Sequence, residues 1–396
     1  MADAYPDTET ADITPWRELE AFEATAEGHH FTIFPAGLQR LDALLAMISD
    51  AQRSIRVFYY MFVDDDTGRR VRDALAEAAR RGVDVVLLVD GFGEDVEEGF
   101  FEPLLDAGGR YHRFLAKWSR RALIRNHQKL VVVDEDVAMI GGFNIEHDYF
   151  ETPENNGWHD LGVRLTGDAV ARLIEWFDEI EDWVSRPNAQ FRAIIRKVMR
   201  WKPGNGPVRL LIGGPTRGLS SWAKCVAEDI ERADRLDMVM AYFSPSKRML
   251  RRMGKMAQRG EMNLIMAGKS DNGATIGAAR SLYHYLLSQG ARIWEFRPSK
   301  LHMKLLVVDD AVYLGSANFD MRSLYVNLEL MLRVEDAGFA ERMRRFIADH
   351  HPGSKEITPA AHLRKSTLWN RIRWNLSWFI VAVVDYNVAR RLNLGL

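Results

Sequence analysis

The feature that most constrains this chain of 396 residues is a pattern that occurs twice. Residues 126–144 read NHQKLVVVDEDVAMIGGFN, and residues 301–318 read LHMKLLVVDDAVYLGSAN. Each copy has a histidine, a lysine two residues later, an aspartate after an apolar run, and a glycine-containing turn that ends at an asparagine. A single HxK pattern is weak evidence for a site, whereas two copies with the same trailing residues are strong evidence.

The spacing within each copy points to phosphoryl chemistry. The apolar runs 130–133 and 305–308 predict short buried strands. Alternate residues of a strand lie on the same face, so each histidine is expected beside its lysine. The two pairs are His127 with Lys129, and His302 with Lys304. Because an ammonium group repels a metal cation, such a pair suits a phosphoryl group better than a metal ion.

The rest of the chain also repeats. A predicted strand at 54–62, a helix that ends at Gly82 and a second strand at 83–90 form a βαβ unit, which favours a parallel sheet there. Three pairs of landmarks recur at offsets of 182, 178 and 175 residues: Tyr60 and Tyr242, Gly82 and Gly260, and His127 and His302. The sequence therefore predicts an internal duplication into two α/β halves, whose HxK motifs meet at a pseudo-two-fold interface as one active site.

Composition divides the chain into four predicted parts. Residues 1–34 begin with an acidic stretch and are expected to be weakly ordered. The segment PGNGP at 203–207 is the best domain boundary, which gives a first lobe at 35–202 and a second lobe at 203–355. Residues 356–396 form a basic, aromatic tail.

The tail has the composition of a membrane-interfacial segment. Residues 368–384 interleave tryptophan with arginine, as amphipathic helices at the headgroup level do. These side chains are Trp369, Trp374, Trp378, Arg371 and Arg373. The alternative is a helix that packs on the core of the second lobe. The longest apolar run, 378–384, is far shorter than the ~20 residues that a spanning helix needs.

A second basic surface is expected next to His127. It comprises Lys117, Arg120, Arg121 and Arg125. The lone Cys225 excludes an intramolecular disulfide and fits a reducing compartment. The acidic start of the chain lacks the apolar region of a signal peptide.

The two motifs resemble the signature of the phospholipase D superfamily, HxKxxxxD followed by GSxN or GGxN. The resemblance covers about residues 38 to 350 and is closest to the bacterial cardiolipin synthases. The supporting stretches are GGFNIEHDYF after the first motif, AARSLYHYLLSQGARIWEF before the second and GSANFDMRSLYVNLEL after it. It implies two similar phospholipase D-like α/β/α lobes with mixed sheets in a pseudo-two-fold arrangement, with a C-terminal amphipathic helical tail. The second motif is one residue shorter between its aspartate and its glycine, which is expected to shorten a hairpin.

The resemblance also implies roles for the motif residues. His127 would attack phosphorus to form a phosphohistidine, and His302 would act as acid and then as base. The ordinary imidazole pKa of ~6.5 permits either role, so the residues alone do not distinguish the two histidines. The expected donors to the phosphate oxygens are Lys129, Lys304, Asn144, Asn318 and Ser316. Gly142 replaces the serine in the first half, which predicts an asymmetric site.

Four carboxylates accompany the histidines. By resemblance, Glu329, eleven residues after Asn318, would orient the second histidine, and Asp160 would be its counterpart in the first half. Asp134 and Asp309 belong to the catalytic motif, where their expected role is structural, bonding the chain near the domain interface.

A metal site is the rival interpretation of the acidic segment after the first motif. Its candidate ligands are Glu146, His147, Asp148, His159 and Asp160. Their spacing matches no recognised ligand pattern, and the lysine and asparagine donors would make a divalent metal unnecessary. No metal or other cofactor is therefore expected.

The predicted reaction is the transfer of a phosphatidyl group. The resemblance favours the joining of two phosphatidylglycerols to cardiolipin, or of phosphatidylglycerol with phosphatidylethanolamine. Water as acceptor would make the enzyme a phospholipase D, and a nucleic-acid substrate would make it a nuclease. A non-enzymatic lipid-binding protein is a further alternative, disfavoured because both motifs are intact.

The expected partner is an anionic phospholipid, phosphatidylglycerol, at a membrane surface. The formal net charge of −2 does not suggest a general nucleic-acid binder, so no nucleic acid is expected. The expected location is peripheral or monotopic, on the cytoplasmic side of the bacterial inner membrane. The sequence does not indicate the oligomeric state.

Overall fold

The computed structural model describes residues 16–114, 125–186, 191–216 and 218–384. The strands of the first half are β1 (Phe22–Ala26), β2 (His29–Phe34), β3 (Ser54–Tyr59), β4 (Phe62–Val63), β5 (Asp84–Asp90), β6 (Glu94–Asp95), β7 (Arg110–Phe114), β8 (Leu130–Val133), β9 (Val137–Gly141), β10 (Trp158–His159) and β11 (Gly162–Thr166). Its helices are α1 (Gly37–Asp50), α2 (Asp66–Arg80), α3 (Glu102–Asp106), α4 (Ala169–Ser185) and α5 (Phe191–Arg200).

The second half has a set of elements that corresponds to the set in the first half. Its strands are β12 (Val208–Gly213), β13 (Arg235–Met240), β14 (Phe243–Ser244), β15 (Glu261–Ala267), β16 (Arg292–Phe296), β17 (Lys300–Leu301), β18 (Lys304–Val308), β19 (Ala311–Gly315), β20 (Phe319–Asp320), β21 (Glu329–Glu335) and β22 (Ser354–Glu356). Its helices are α6 (Ser221–Arg232), α7 (Lys247–Arg259), α8 (Gly273–Ser288), α9 (Met321–Tyr325), α10 (Ala337–Ala348), α11 (Pro359–Lys365) and α12 (Leu368–Trp378), followed by a π-helical turn, Phe379–Val384.

The two main sheets repeat one topology. The first has the order β1-β2-β11-β9-β8-β3-β5-β7, and the second has the order β12-β21-β19-β18-β13-β15-β16-β22. From β2 and β12 onward, seven strands correspond in order. The pairs β3–β5, β5–β7, β13–β15 and β15–β16 are parallel, and the other pairs in the shared order are antiparallel. The predicted α/β class with two similar mixed-sheet halves is confirmed.

Apolar side chains hold the layers together. One cluster joins the facing sides of both sheets through α4 and α10, and includes Phe31, Trp176, Leu305 and Phe346. The outer face of the first sheet packs on α1 and α2, and the outer face of the second packs on α6, α7 and α8. Because the first cluster takes residues from both halves, burial of apolar area fixes the lobes against each other.

The N-terminal prediction needs a correction. Residues 22–34 are strands β1 and β2, not a weakly ordered segment, while residues 1–15 lie outside the described part of the chain. Strand β2 has the place in the first sheet that β12 has in the second, and its Phe31 and Ile33 are fully buried. The acidic composition of the preceding residues concealed a short strand that pairs with β11 by backbone hydrogen bonds.

The tail prediction is also corrected in part. Trp374 is only 3% exposed and packs on the second lobe, so it is not an interfacial side chain. Trp378 is partly buried against the same lobe, whereas Trp369 is 74% exposed. The alternative of a packed helix therefore describes the inner side of α12, and the membrane-interfacial role of its exposed side stays a prediction. No helix within the described ranges is long and apolar enough to cross a membrane.

Candidate active site

Each motif histidine lies in an extended segment just before a buried strand. His127 comes three residues before β8, and His302 comes two residues before β18, so the prediction that they lie on the strands themselves was wrong. The reason is that both segments pair across the lobe boundary. The backbone N–H of His127 donates to the carbonyl of Leu328 at 2.9 Å, and that of His302 donates to the carbonyl of His159 at 2.8 Å.

The second histidine is held by a carboxylate from the first lobe. His302 Nδ1 lies 2.6 Å from Asp160 Oδ2 and 2.7 Å from Lys304 Nζ. Asp160 follows β10 directly, and the parallel pairing of β10 with β17 brings it beside the second motif. The buried Arg40 donates to the Asp160 carbonyl at 2.9 Å and fixes the backbone at this point.

The first histidine faces a carboxylate from the second lobe. His127 Nδ1 lies 3.7 Å from Glu329 Oε1, which is an electrostatic contact longer than a hydrogen bond. The other nitrogen, Nε2, is buried and has no hydrogen-bond partner within the described residues. Glu329 is itself held by the hydroxyls of Ser316 and Ser323, at 2.6 and 2.8 Å.

This arrangement corrects one prediction. The pairing of carboxylates with histidines is crossed: Glu329 serves His127, and Asp160 serves His302. The strands that carry the carboxylates bond to the histidine segment of the opposite lobe, which explains the exchange. Ser316 donates to Glu329 and accepts from the backbone N–H of Leu330, so it positions a carboxylate, and its contact with a phosphate stays a prediction.

Gly142 stands where Ser316 stands in the other half. A Cβ there would meet Asp160 Oδ1 at 2.6 Å and Lys304 Cδ at 2.9 Å. The glycine leaves the space into which the Asp160 carboxylate and the Lys304 stem fit, and the predicted asymmetry of the site has this steric basis.

Burial and cations govern the charge states of both histidines. Burial lowers the pKa of His127 well below its ordinary value, and Lys129 and Arg125 lower it further. Burial, assisted by Lys304, lowers the pKa of His302 to about 4, although Asp160 raises it. Both shifts favour the neutral imidazoles near pH 7.

The positive charges of the two lysines also couple the two lobes. Lys304 of the second lobe contributes to the low pKa of His127, and Lys129 of the first lobe contributes to that of His302. Burial also lowers the pKa of Lys304 to about 7 and raises the pKa of Glu329. The two motifs thus form one electrostatic unit.

The predicted phosphate donors surround this unit. The buried Lys129 donates to the His127 carbonyl at 2.6 Å, and Lys304 bonds both His302 Nδ1 and the His302 carbonyl. Asn144 and Asn318 are buried, and the Oδ1 atom of each has no partner in the described ranges. The two lysine ammonium groups at the histidines are donors that a phosphate anion requires, and the asparagine amides stay predicted donors.

Aromatic residues that were not assigned to the site also line it, and Trp158 lies edge-on to His302 at 5.3 Å. The Tyr60 ring lies 4.1 Å from the His127 ring, and the Tyr242 and Tyr149 rings lie edge-on to His302 at 6.0 and 5.0 Å. The Tyr149 hydroxyl is 3.4 Å from His302 Nε2. The recurrence of Tyr60 as Tyr242 was a signal for these positions, because a repeated residue beside a repeated motif shares its surroundings.

The motif aspartates lie away from the histidines, at the hairpin ends. Asp134 accepts from the backbone N–H groups of Gln52, Arg53 and Ser54, and Asp309 accepts from those of Asp234 and Arg235. Each aspartate comes directly after its strand, whereas the motif histidine comes before that strand. Their predicted structural role agrees with these bonds, but their expected place near the domain interface is wrong, as is any part in the catalytic cluster.

The rival metal site is not assembled. Across residues 16–114, 125–186, 191–216 and 218–384, no three histidine, cysteine, aspartate or glutamate side chains are placed to hold an ion. Each of several candidates contacts another group: His147 contacts Glu151, Asp148 contacts Lys300, and His159 contacts His350. Of the basic surface next to His127, Arg125 is described, and Lys117, Arg120 and Arg121 lie outside the described residues.

Two duplicated α/β lobes that unite two HxK histidines in one site define an enzyme of the phospholipase D type. Comparison with known proteins gives the particular family. The family model described as the phospholipase D-like domain of cardiolipin synthase matches residues 44–181 and 226–350, and the chain belongs to this family. It is an enzyme of the phosphatidyltransferase class.

Individual proteins show how far the similarity extends. Cardiolipin synthase B of Salmonella typhimurium is 29% identical over 375 residues, which cover 90% of this chain and 87% of that protein. Cardiolipin synthase A of Pseudomonas putida is 30% identical over 333 residues, covering 81% of this chain and 68% of the relative. A crystal structure of phosphatidylserine synthase from Haemophilus influenzae aligns with a TM-score of 0.71 at 14% identity, covering 93% of this chain and 96% of that one, and shows the fold alone.

Proposed function

We propose that this cardiolipin synthase joins two phosphatidylglycerol molecules to cardiolipin and glycerol through a phosphohistidine. The observation that carries the proposal is the unequal environment of two histidines in one cluster. His127 has a lowered pKa and an Nε2 atom with no hydrogen-bond partner among the described residues, whereas His302 has a carboxylate on Nδ1. A nucleophile needs a free lone pair, and a proton donor is supported by a carboxylate on its far nitrogen.

In the first half-reaction, His127 Nε2 attacks the phosphorus of the donor. The bond from phosphorus to the glycerol oxygen breaks, and His302 gives its Nε2 proton to the leaving alkoxide. Entry of the anionic phosphodiester opposes the low pKa of His302 and favours the imidazolium that this step needs. Lys129, Lys304, Asn144 and Asn318 hold the non-bridging oxygens as charge develops.

In the second half-reaction, the hydroxyl of another phosphatidylglycerol replaces the glycerol. His302, now neutral, takes the proton of that hydroxyl, and the oxygen attacks the phosphohistidine. The bond between phosphorus and His127 Nε2 breaks, which releases cardiolipin and restores both imidazoles. Phosphatidylethanolamine in place of one substrate would use the same steps.

We further propose that the enzyme works from the cytoplasmic side of a bacterial inner membrane as a peripheral protein. The outer face of α12 supports this, because Leu368 and Trp369 are 77% and 74% exposed, and Ile372 is also exposed. Apolar and indole side chains on an outer surface favour the headgroup region. The single cysteine agrees with a reducing compartment.

The test is incubation of the purified protein with phosphatidylglycerol vesicles and analysis of lipids by mass spectrometry, with and without EDTA. Cardiolipin and glycerol are expected in both conditions, and the products should be lost in His127→Ala and in His302→Ala. Phosphatidic acid as the only product would instead show that water is the acceptor. Cardiolipin formation by the His127→Ala variant at the wild-type rate would contradict the phosphohistidine.

A further inference from the structure

A second polar cavity lies in the second lobe, among α8, α11 and α12. It has a volume of about 210 Å³, and its lining includes Arg280, His284, His362, Arg371 and Asn375. Helices α8 and α12 approach closely beside it: a Cβ at Gly277 would lie 2.7 Å from Ser377 Oγ. None of the catalytic motif residues lines this cavity, so it is distinct from the histidine cluster.

The cavity is basic without matching acid. The two arginines and two histidines of its lining are accompanied by no lining carboxylate. The Arg280 guanidinium donates to the two carboxylate oxygens of Glu295 at 2.8 and 2.9 Å, which offsets one positive charge. Arg371 is exposed and has no carboxylate partner within the described ranges. An anion in the cavity would therefore gain an uncompensated guanidinium contact.

His362 supplies an independent sign of a ligand. It is only 3% exposed, and its Nδ1 has no hydrogen-bond partner in the described part of the chain. The ring is held between Tyr283, His284 and Trp374, with the Trp374 ring stacked at 5.4 Å. A buried polar nitrogen costs free energy unless it is satisfied, and His362 is one of the residues that line the cavity.

The rim of the cavity is apolar and exposed. Leu363 lines the cavity and is 68% exposed, and α12 and the π-helical turn that follows it add further exposed apolar side chains. These are Leu368, Trp369, Ile372, Leu376, Phe379 and Ile380. A basic pocket with an apolar rim matches a molecule that carries an anionic phosphate at the end of acyl chains, and it matches a small soluble phosphate less well.

We propose that this cavity binds the phosphate headgroup of an anionic phospholipid that is not being turned over, with the exposed face of α11 and α12 inserted beside the acyl chains. The bound lipid would fix the second lobe on an anionic membrane. This second site presupposes the proposed action on membrane lipid, so its occupancy is measured apart from catalysis.

The first test is co-sedimentation with vesicles of phosphatidylcholine, with or without added phosphatidylserine, which is anionic but not the proposed substrate. The wild type should bind the anionic vesicles more tightly. The double variant His284→Gln with Arg371→Gln should lose about 30-fold in affinity for them, because it removes two basic contacts of ~1 kcal/mol each. Its binding to pure phosphatidylcholine should not change.

Arg251→Gln is the matched control. Arg251 is an exposed arginine on α7, in the same lobe but outside the cavity lining. It should leave the preference for anionic vesicles within about twofold of wild type. Equal losses in Arg251→Gln and in the double variant would mean that general surface charge is responsible, and the proposal would be overturned.

A second measurement does not depend on the double variant. Short-chain phosphatidylserine below its micelle concentration should shift the imidazole NMR resonances of His284 and His362, assigned with His284→Gln and His362→Asn. Inorganic phosphate at equal ionic strength should not displace the protein from anionic vesicles. Unmoved resonances, or full displacement by phosphate, would refute a phospholipid site even if cardiolipin synthesis is confirmed. Loss of synthesis with these shifts intact would refute the catalytic proposal alone.

Discussion

His302 and Asp160 form the closest histidine–carboxylate contact of the active site, at 2.6 Å. Asp160 is fully buried, and burial alone would raise its pKa, but Lys304 and His302 outweigh this and lower it. The carboxylate is thus ionised when the histidine needs support. An ionised carboxylate beside Nδ1 of His302 stabilises the imidazolium when His302 is protonated.

Asp160→Asn should reduce kcat for cardiolipin synthesis by about 100-fold, since general acid–base support is worth about 10²–10⁴ in rate. The amide keeps the shape but loses the charge that favours protonated His302. Steady-state assays with phosphatidylglycerol measure the effect. Asp134→Asn, the same change at a hairpin end, is the control and should retain kcat within about twofold. An Asp160→Asn enzyme with normal kcat would remove this aspartate from the mechanism.

The pKa of His302 can be tested through its other neighbour. Burial and Lys304 both lower that pKa, so Lys304→Met should raise it from about 4. The sign follows because the imidazolium loses a repelling cation while it keeps Asp160. NMR titration of labelled histidine measures the midpoint, with Lys300→Met as the control for a neighbouring lysine. A titration midpoint that falls or stays unchanged would contradict the conclusion that Lys304 lowers the pKa of His302.

At this scale the sequence predicted which residue types matter, but not all their partners. The HxK spacing located both histidines and both lysines, because local spacing sets which side chains are neighbours. The partner of each histidine comes from a residue far along the chain: Glu329 and Asp160 are exchanged relative to the prediction. Arg40 gave no sequence signal, because its role depends on carbonyls of Phe34, Pro35 and Asp160 that meet only after folding.

At the scale of elements, the motif aspartates act as hairpin ends. Asp134 adopts a left-handed backbone conformation with φ of 54°, and Asp309 does so with φ of 45°. Both side chains accept hydrogen bonds from backbone N–H groups at the start of β3 and β13. Partial burial would raise the pKa of Asp134, but its backbone hydrogen bonds lower it on balance. The second hairpin is shorter by one residue, as expected: 309–310 join β18 and β19, whereas 134–136 join β8 and β9.

Asp134→Ala should therefore destabilise the fold without impairing the chemistry. Three N–H groups lose their acceptor and a Cβ-bearing residue without a polar side chain must hold positive φ, so the expected loss is about 1–3 kcal/mol. Urea unfolding measures the stability, and kcat measured well below the transition should stay near wild type. Asp136→Ala, in the same hairpin, is the control. A large fall in kcat with unchanged stability would restore a catalytic role.

Strands, helices and the βαβ units followed from apolar runs, glycine stops and the repeated landmarks. Strands β1 and β2 did not, because their pairing with β11 lies outside any local pattern. The two faces of α12 were also beyond the sequence. Tryptophan and arginine alternate along it, but the close approach of Ser377 to Gly277 decides that Trp374 faces inward.

At the scale of the whole molecule, each functional pair of the active site takes its histidine from one lobe and its carboxylate from the other. One pair is His127 with Glu329, and the other is His302 with Asp160. A phosphatidyl donor with a p-nitrophenolate leaving group separates them, because this group departs without an acid. His302→Ala and Asp160→Asn should lose far less in the release of p-nitrophenolate than in the use of phosphatidylglycerol.

His127→Ala and Glu329→Gln should lose activity equally on both donors, because every leaving group needs the nucleophile. Rapid-mixing measurement of the first turnover isolates this step from the release of the phosphohistidine. If sensitivity to the leaving group followed His127 instead, the roles of the two histidines would be reversed. If Asp160→Asn behaved like His127→Ala, the crossed pairing would be wrong.

The exchange of carboxylates between lobes has an evolutionary consequence. After a gene duplication, one copy is usually free to drift while the other preserves the ancestral activity. Here each half completes the reactive group of its sibling, so a lesion in either half disables both. Both halves of a functional chain are therefore expected to retain their motif, as both do here.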